Sequence, residues 1–392
     1  MSVDFTQRRT VLGGMGAAAL TAVAAPTIVT KARAASHAIK ISQIETLSGP
    51  WASYGIRGSQ GALMAISELT EAGGFTDSEG NEYSVSHTME DMGSESRQAI
   101  TLFRQYARDP SVVASVGPTN SVGFLPIIPV AGQLSLPLVG DGSGAPAKGW
   151  SAWAFRVNPV ASTAIPVMMS SLKAELGFNR LGIIYDQSQD AQAGDAEIAN
   201  ELAGELGYEV VAYEAFRKGD QDYSPQIAVI KNADPDAIFV ASTTGDGGNI
   251  VNQIKAFGLD MPLFTGYGSF RDEIYWDTTD GKVNGGYTWL GVDTASASGS
   301  LRDWIARHNE AFDLEANSFS VYGYDAVFAI VEAVRRAASP DRAAIQAELA
   351  NFEYEAPLGT RITFKNPPHG NNLTPAISVI QVTGRGEYRV VS

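Results

Sequence analysis

Apolar positions along the chain switch repeatedly between short continuous runs and spacings of three and four residues, and this alternation predicts strands followed by helices. Runs at 39–44, 83–89, 112–116 and 137–139 read as strands, with helical patterns at 59–72, 95–107 and 122–133 between them. The stretch 153–159 then breaks the rhythm with an aromatic-rich strand that ends at Pro159. Beyond it the alternation resumes: helices at 161–176, 191–206, 223–231 and 248–257, strands at 181–185, 209–216, 237–241 and 263–265. Such alternation predicts parallel, doubly wound sheets, and its interruption predicts two of them.

The rest has no complete sheet of its own. A strand at 287–291 and helices at 300–312, 324–337 and 341–349 are expected to return to the first lobe. Short strands at 360–364 and 376–382 flank the turn-rich run Asn366-Pro367-Pro368-His369-Gly370-Asn371-Asn372, where a further crossing between lobes is expected. The expected fold class is therefore α/β, with two doubly wound parallel-sheet lobes. Lobe 1 takes 37–157 plus 287–360, and lobe 2 takes 158–286 plus 361–392.

The amino terminus follows another pattern. Arg8 and Arg9 precede an uncharged Ala/Gly-rich apolar segment, 11–29, and Ala32-Arg33-Ala34 supplies a small-x-small cleavage site. Residues 1–34 read as an export signal cleaved near Ala34, so the mature chain is expected in the periplasm. Thr6-Gln7-Arg8-Arg9-Thr10-Val11-Leu12 resembles a twin-arginine signal but lacks the usual Phe two residues after the arginines, which leaves Sec export open.

Composition excludes several functions. The 392 residues carry a net charge of −15, and removing 1–34 takes away four basic residues and one acidic one, leaving −18. So acidic a surface repels nucleic acid and anionic lipid, and no later apolar run is long enough to insert in a membrane. There is no cysteine, so thiol catalysis, disulfides and thiolate metal sites are excluded. His37, His87, His308 and His369 are scattered singly and give neither a triad nor a zinc site. The run Gly140-Asp141-Gly142-Ser143-Gly144-Ala145 matches a dinucleotide fingerprint, but Pro146 and Gly149 interrupt the helix that should follow. No enzyme, no cofactor and no metal is expected.

One stretch reads as recognition from the start. In 39–58 a strand runs into a Ser/Gly/Pro turn bearing Trp51 and Tyr54, at the carboxyl end of a strand, where ligands of open α/β sheets sit. Several ordered motifs then resemble one family: Leu47-Ser48-Gly49-Pro50 with Tyr54-Gly55, Glu90-Asp91-Met92-Gly93, Ser115-Val116-Gly117-Pro118 with Asn120-Ser121, and Phe155-Arg156-Val157. Gly219-Asp220-Gln221-Asp222-Tyr223-Ser224, Asp234-Pro235-Asp236-Ala237 and Tyr322-Gly323-Tyr324-Asp325-Ala326 continue the series. The chain is similar to periplasmic substrate-binding proteins of ABC transporters, of the branched-chain amino-acid and amide-binding type.

That resemblance implies a type I periplasmic-binding fold with a three-crossover hinge, a small-molecule ligand captured by lobe closure, a membrane permease as partner, and a monomer. A ligand-sensing protein of the same fold is the alternative. The resemblance places ligand contacts at Trp51, Tyr54, Asn120, Ser121, Gly142 and Ser143 on the first lobe, and at Gln192, Thr244 and Tyr267 on the second. Ser121 also fits a helix cap. Where amino-acid binders carry an aromatic and an acid on the second lobe, this chain offers Gln192 and Tyr267. A phenol cannot neutralise an ammonium group, which points toward amides, urea-like compounds or carboxylates unless Asp141, Asp190 or Asp246 restores the charge.

Overall fold

The computed structural model describes residues 37–147, 149–266 and 273–392. The expected export signal and Tyr267 lie outside them. In the described residues six strands form the first sheet: β1 (His37–Glu45), β2 (Phe75–Thr76), β3 (Glu82–Asp91), β4 (Val112–Val116), β5 (Leu138–Gly140) and β6 (Ala154–Arg156). Their order is β2-β3-β1-β4-β5-β6, parallel except for β2.

The second sheet holds seven strands among the described residues, β7 (Arg180–Asp186), β8 (Glu209–Phe216), β9 (Ala237–Ala241), β10 (Leu263–Thr265), β11 (Tyr287–Leu290), and, beyond the small hairpin β12 (Glu353–Glu355) and β13 (Arg361–Thr363), β14 (Ser378–Gly384) and β15 (Glu387–Val390). The order is β15-β14-β11-β10-β9-β7-β8, parallel except for β14, which runs antiparallel to both its neighbours β11 and β15.

Central strands such as β4 and β9 are buried at every position, as expected where helices cover both faces of a sheet. On the first sheet α1 (Ala52–Glu71) takes one face, while α2 (Ser96–Arg108) and α3 (Ser121–Leu134) take the other. On the second, α4 (Ala161–Leu176) and α5 (Asp190–Glu201), followed by the single turn α6 (Ala203–Leu206), cover one face. Helices α7 (Ser224–Asn232), α8 (Thr244–Ala256) and α9 (Glu273–Thr279) cover the other. Helices α10 (Gly299–Phe312), α11 (Ser318–Ala337) and α12 (Arg342–Ala350) return to the first core, where Trp304, Ile330, Val334 and Ile345 are buried.

The expected lobe boundaries need correcting. Strand β11, assigned to lobe 1 on sequence grounds, pairs with β10 and β14 of the second sheet. Ile362 and Phe364, assigned to lobe 2, pack in the first core. Pairing partners decide a short strand's sheet, and β11 carries no local mark of which one it joins.

Three crossings connect the lobes: 157–160, 291–298 and 364–377. The first and third run side by side, for the Arg156 backbone N–H donates to Gly370 O and the Asn372 N–H donates to Arg156 O, at 2.8 and 2.9 Å. The Arg156 guanidinium is buried, and among the described residues it has no carboxylate partner. It donates to the carbonyls of Ser143 and Ala145 and to Asn371 Oδ1, and lies over the Trp150 ring at 4.8 Å. It therefore ties the loop after β5 to the hinge, and burial pushes its pKa down to about 9.

Candidate functional site

The carboxyl ends of both sheets face one cleft. Residues after β1 (Trp51, Tyr54), β4 (Thr119 to Val122), β5 (Gly142, Gly144) and β6 (Asn158, Pro159) form one wall. The opposite wall comes from the turn and helix after β7 (Ser188 to Gln192, Asp195), from Ser242 and Thr243 after β9, from Gly266 after β10, and from Trp289 in β11. Both sheets thus present their topological switch points to the same space. The cavity measures about 140 Å3, room for a ligand on the order of ten water-sized groups.

Six of the nine expected contacts line it: Trp51, Tyr54, Asn120, Ser121, Gly142 and Gln192. Their roles differ from expectation. Tyr54 is not in a loop but in the first turns of α1, which starts seven residues earlier than its apolar pattern suggested. Gly55 and Gly58 mask that start, yet both are needed. A Cβ at Gly55 would stand 2.3 Å from the Thr46 carbonyl oxygen, and one at Gly58 2.4 Å from Thr119 Oγ1. Asn120, not Ser121, caps α3 by accepting the Gly123 N–H, while its amide nitrogen donates to Thr46 Oγ1.

Two contacts are corrected and one is outside the described residues. Ser143 is buried behind the wall, its hydroxyl 3.0 Å from Ser121 Oγ, so it supports Ser121 and does not reach the cleft. At Thr244 the expectation is one residue off: Thr243 and Ser242 line the cleft, because α8 begins at Thr244 and turns that side chain away from the lining set. Tyr267 lies outside the described residues.

Residues that sequence reasoning missed include Thr119, Asn158, Asp195, Trp289, Phe319 and Tyr322. Only folding brings the last two, at the start of α11, beside residues 51 to 54; Phe319 meets the Tyr54 ring edge-on at 5.4 Å. Across the mouth, Lys218 Nζ of the second lobe sits 5.3 Å from the centre of the Trp51 ring, a cation–π contact between the walls.

A two-walled cleft of this kind has close relatives. The periplasmic binding protein family model matches residues 38–387. The chain belongs to the periplasmic binding protein family. The Leu/Ile/Val-binding protein homolog 1 of Brucella abortus (strain 2308) is 25% identical over 301 residues, covering 75% of this chain and 77% of that one. A leucine-binding protein of Thermotoga maritima has a TM-score of 0.78 at 24% identity, covering 90% of this chain and 97% of its own. A solute-binding protein of an ABC transporter from Rhodopseudomonas palustris BisB5, solved with 3,4-dihydroxybenzoic acid, has a TM-score of 0.74 at 19% identity, with 90% and 96% covered. As a member of this family the protein is a substrate-binding protein and not an enzyme.

In this periplasmic binding protein the first wall rests on a buried carboxyl pair. Glu45, at the end of β1, accepts from the backbone N–H and the hydroxyl of Thr119, at 3.1 and 2.9 Å, and Asp141 Oδ1 lies 3.2 Å from the same hydroxyl. Burial raises both acids, Asp141 to about 6, and the charge of Asp141 raises Glu45 further, so Glu45 holds the shared proton. Asp141, an expected candidate for ligand charge, is therefore spoken for beneath the wall. Asp246 is buried beside Gly219 of the second lobe and does not line the cleft either.

A raised folded-state pKa on an acid means the native state binds more protons than the unfolded one. The stability it confers is present at low pH and lost as pH rises, here from about 4 through 6 and beyond. Glu45→Gln is expected to reduce that loss, because it removes an acid whose pKa burial and the charge of Asp141 hold well above the usual carboxylate range. Urea unfolding of both proteins between pH 4 and 8 measures it. Parallel pH profiles would show that no proton is shared.

Proposed function

We propose that the protein is the periplasmic solute-binding component of an ABC importer. It captures a small amino acid or a molecule of similar size by lobe closure and delivers the closed form to a membrane permease. The observation that carries this is the cavity walled by the carboxyl ends of both sheets, because a ligand touching both walls favours the closed state by its differential affinity. The relatives' names, which specify leucine, isoleucine and valine, support the amino-acid class. No helix among the described residues is long and apolar enough to cross a membrane.

The moving bodies are proposed to be 37–156 with 299–363, and 161–290 with 378–392, acting in a monomer. Residues 1–34 are proposed to direct export and to be cleaved near Ala34. Ligand at a thousandfold excess over its Kd should stabilise the native state by about 4 kcal/mol. A thermal-shift panel of amino acids, amides, urea and small organic acids, aromatic acids included, should therefore give a rise of several degrees for one chemical class. A panel without any shift would overturn capture in this cleft.

A further inference from the structure

The hinge end of the cavity is built by one residue from each moving part: Trp289 from β11 of the second lobe, Pro159 from the first crossing and Tyr322 from α11 of the first lobe. Gly291 comes next on the same side of the strand as Trp289, where the chain leaves the second sheet. A Cβ at Gly291 would stand 1.5 Å from the Tyr322 hydroxyl oxygen and 3.5 Å from Pro159 Cγ. The hydroxyl therefore fills the space of that missing side chain, beside the first crossing. The Gly291 backbone does not adopt a positive φ, so glycine is needed there for room and not for conformation.

The same helix grips the next residue. Ser318, one turn before Tyr322 on the same face of α11, donates its hydroxyl to Val292 O at 3.0 Å and accepts the Val292 N–H at 3.2 Å. Asp293 is held from the other side, for it accepts from the Tyr388 hydroxyl of β15 and from the N–H groups of Ala295 and Ser296, both at 3.1 Å. Consecutive residues of the second crossing are thus tied to opposite lobes, Val292 to the first and Asp293 to the second. Closure must turn the backbone about this short strap, and Tyr322 is the bulky group seated against it.

We propose that Tyr322 is a positioning residue for closure: its ring ends the ligand cavity, while its hydroxyl, seated against Gly291, holds the second crossing at the closed angle. This rests on capture by lobe closure, proposed above, and names the side chain through which cavity and hinge share one position. A Cβ at Gly291 and the Tyr322 hydroxyl cannot occupy the same space. Gly291→Ala should therefore keep the crossing turned away from its closed angle. Tyr322→Phe removes the hydroxyl and should return the room, because the ring carbon that bore it lies 2.9 Å from the same point, a distance that a small tilt of the ring lengthens.

The test reads closure without any ligand. The chain has no cysteine, and a Cβ at Gly194 of the second lobe lies 2.6 and 2.9 Å from Pro146 Cδ and Cγ of the first. Gly194→Cys with Pro146→Cys therefore brings two thiols within disulfide reach while the cleft is shut, the second change removing the ring that the first would strike. Diamide is added to the full chain carrying this pair, and the rate of crosslinking is followed on non-reducing gels, with thermal melts of the reduced protein to establish folding. Adding Gly291→Ala should slow the crosslink by about tenfold or more, and adding Tyr322→Phe to that should return the rate to within about threefold of the reference pair. A rate that Gly291→Ala leaves unchanged overturns the assignment, as does a loss that Tyr322→Phe does not relieve. If Gly291→Ala does not fold by itself, Tyr322→Phe must restore both its melt and its crosslink, and failure of either overturns the assignment again. A reference pair that never crosslinks overturns closure itself, and the role of Tyr322 with it.

Discussion

Gly61→Val is expected to unfold the first lobe, with a loss of more than about 4 kcal/mol. A Cβ at Gly61 would lie 1.7 Å from Ser320 O and 2.6 Å from its carbonyl carbon, and one at Gly323 2.0 Å from Gly58 O. Helices α1 and α11 therefore cross backbone against backbone, with Gly58, Gly61 and Gly323 at the point of contact. No rotamer removes a Cβ, so relief requires the helices to part, and their separation would open the first core around Ala62, Ala65, Val327 and Ile330. Urea unfolding checks this, with Gly204→Ala as the control. Gly204 lies in α6 with no atom near its missing Cβ, so alanine there should stabilise by roughly 0.5–1 kcal/mol. A Gly61 variant within 1 kcal/mol of wild type would mean that the helices do not cross so closely.

Gly194→Leu should leave the fold intact and cost at least about 100-fold in ligand affinity. Gly194 belongs to α5 on the second lobe, and a Cβ there would meet Pro146 Cδ at 2.6 Å and Cγ at 2.9 Å, in the loop after β5 of the first lobe. The clash exists only while the cleft is shut. An open form accommodates leucine at this surface, whereas the closed form must move the Pro146 ring or stay ajar. Melts without ligand should then agree within about 1 kcal/mol, while the ligand-induced shift nearly disappears. Small-angle scattering should show the variant staying expanded in ligand. Unchanged affinity would show that the Pro146 loop yields freely and does not set the closing distance.

The Trp51 and Lys218 contact belongs to the same closing surface. This half-buried cation–π pair contributes on the order of 1 kcal/mol, so it adjusts the closed population where the Gly194 contact limits it.

Period and punctuation determined much of this protein by themselves. The helix 161–176 and the strands 112–116, 209–216, 237–241 and 263–265 were legible to the residue, because a strand covered on both faces or a helix with one apolar face must show its period locally. The ordered motifs carried the family, and the turn at 39–58 marked one wall of the cleft. Composition excluded thiol chemistry.

Tertiary structure decided the rest. Whether β11 joins one sheet or the other depends on a hydrogen-bonding partner ninety residues away in β14, and its own four residues carry no sign of that choice. The start of α1 was hidden because Gly55 and Gly58 look like helix breakers until the backbone of Thr46 and the side chain of Thr119 are seen filling the space of the missing side chains. Asp195 lacks any motif, and one acid on a helix resembles any other until folding buries it against Gly266 and turns it toward the cavity. Sequence records what each segment prefers next to its neighbours in the chain. The cleft arises between walls far apart in sequence, where burial fixes what a charge costs.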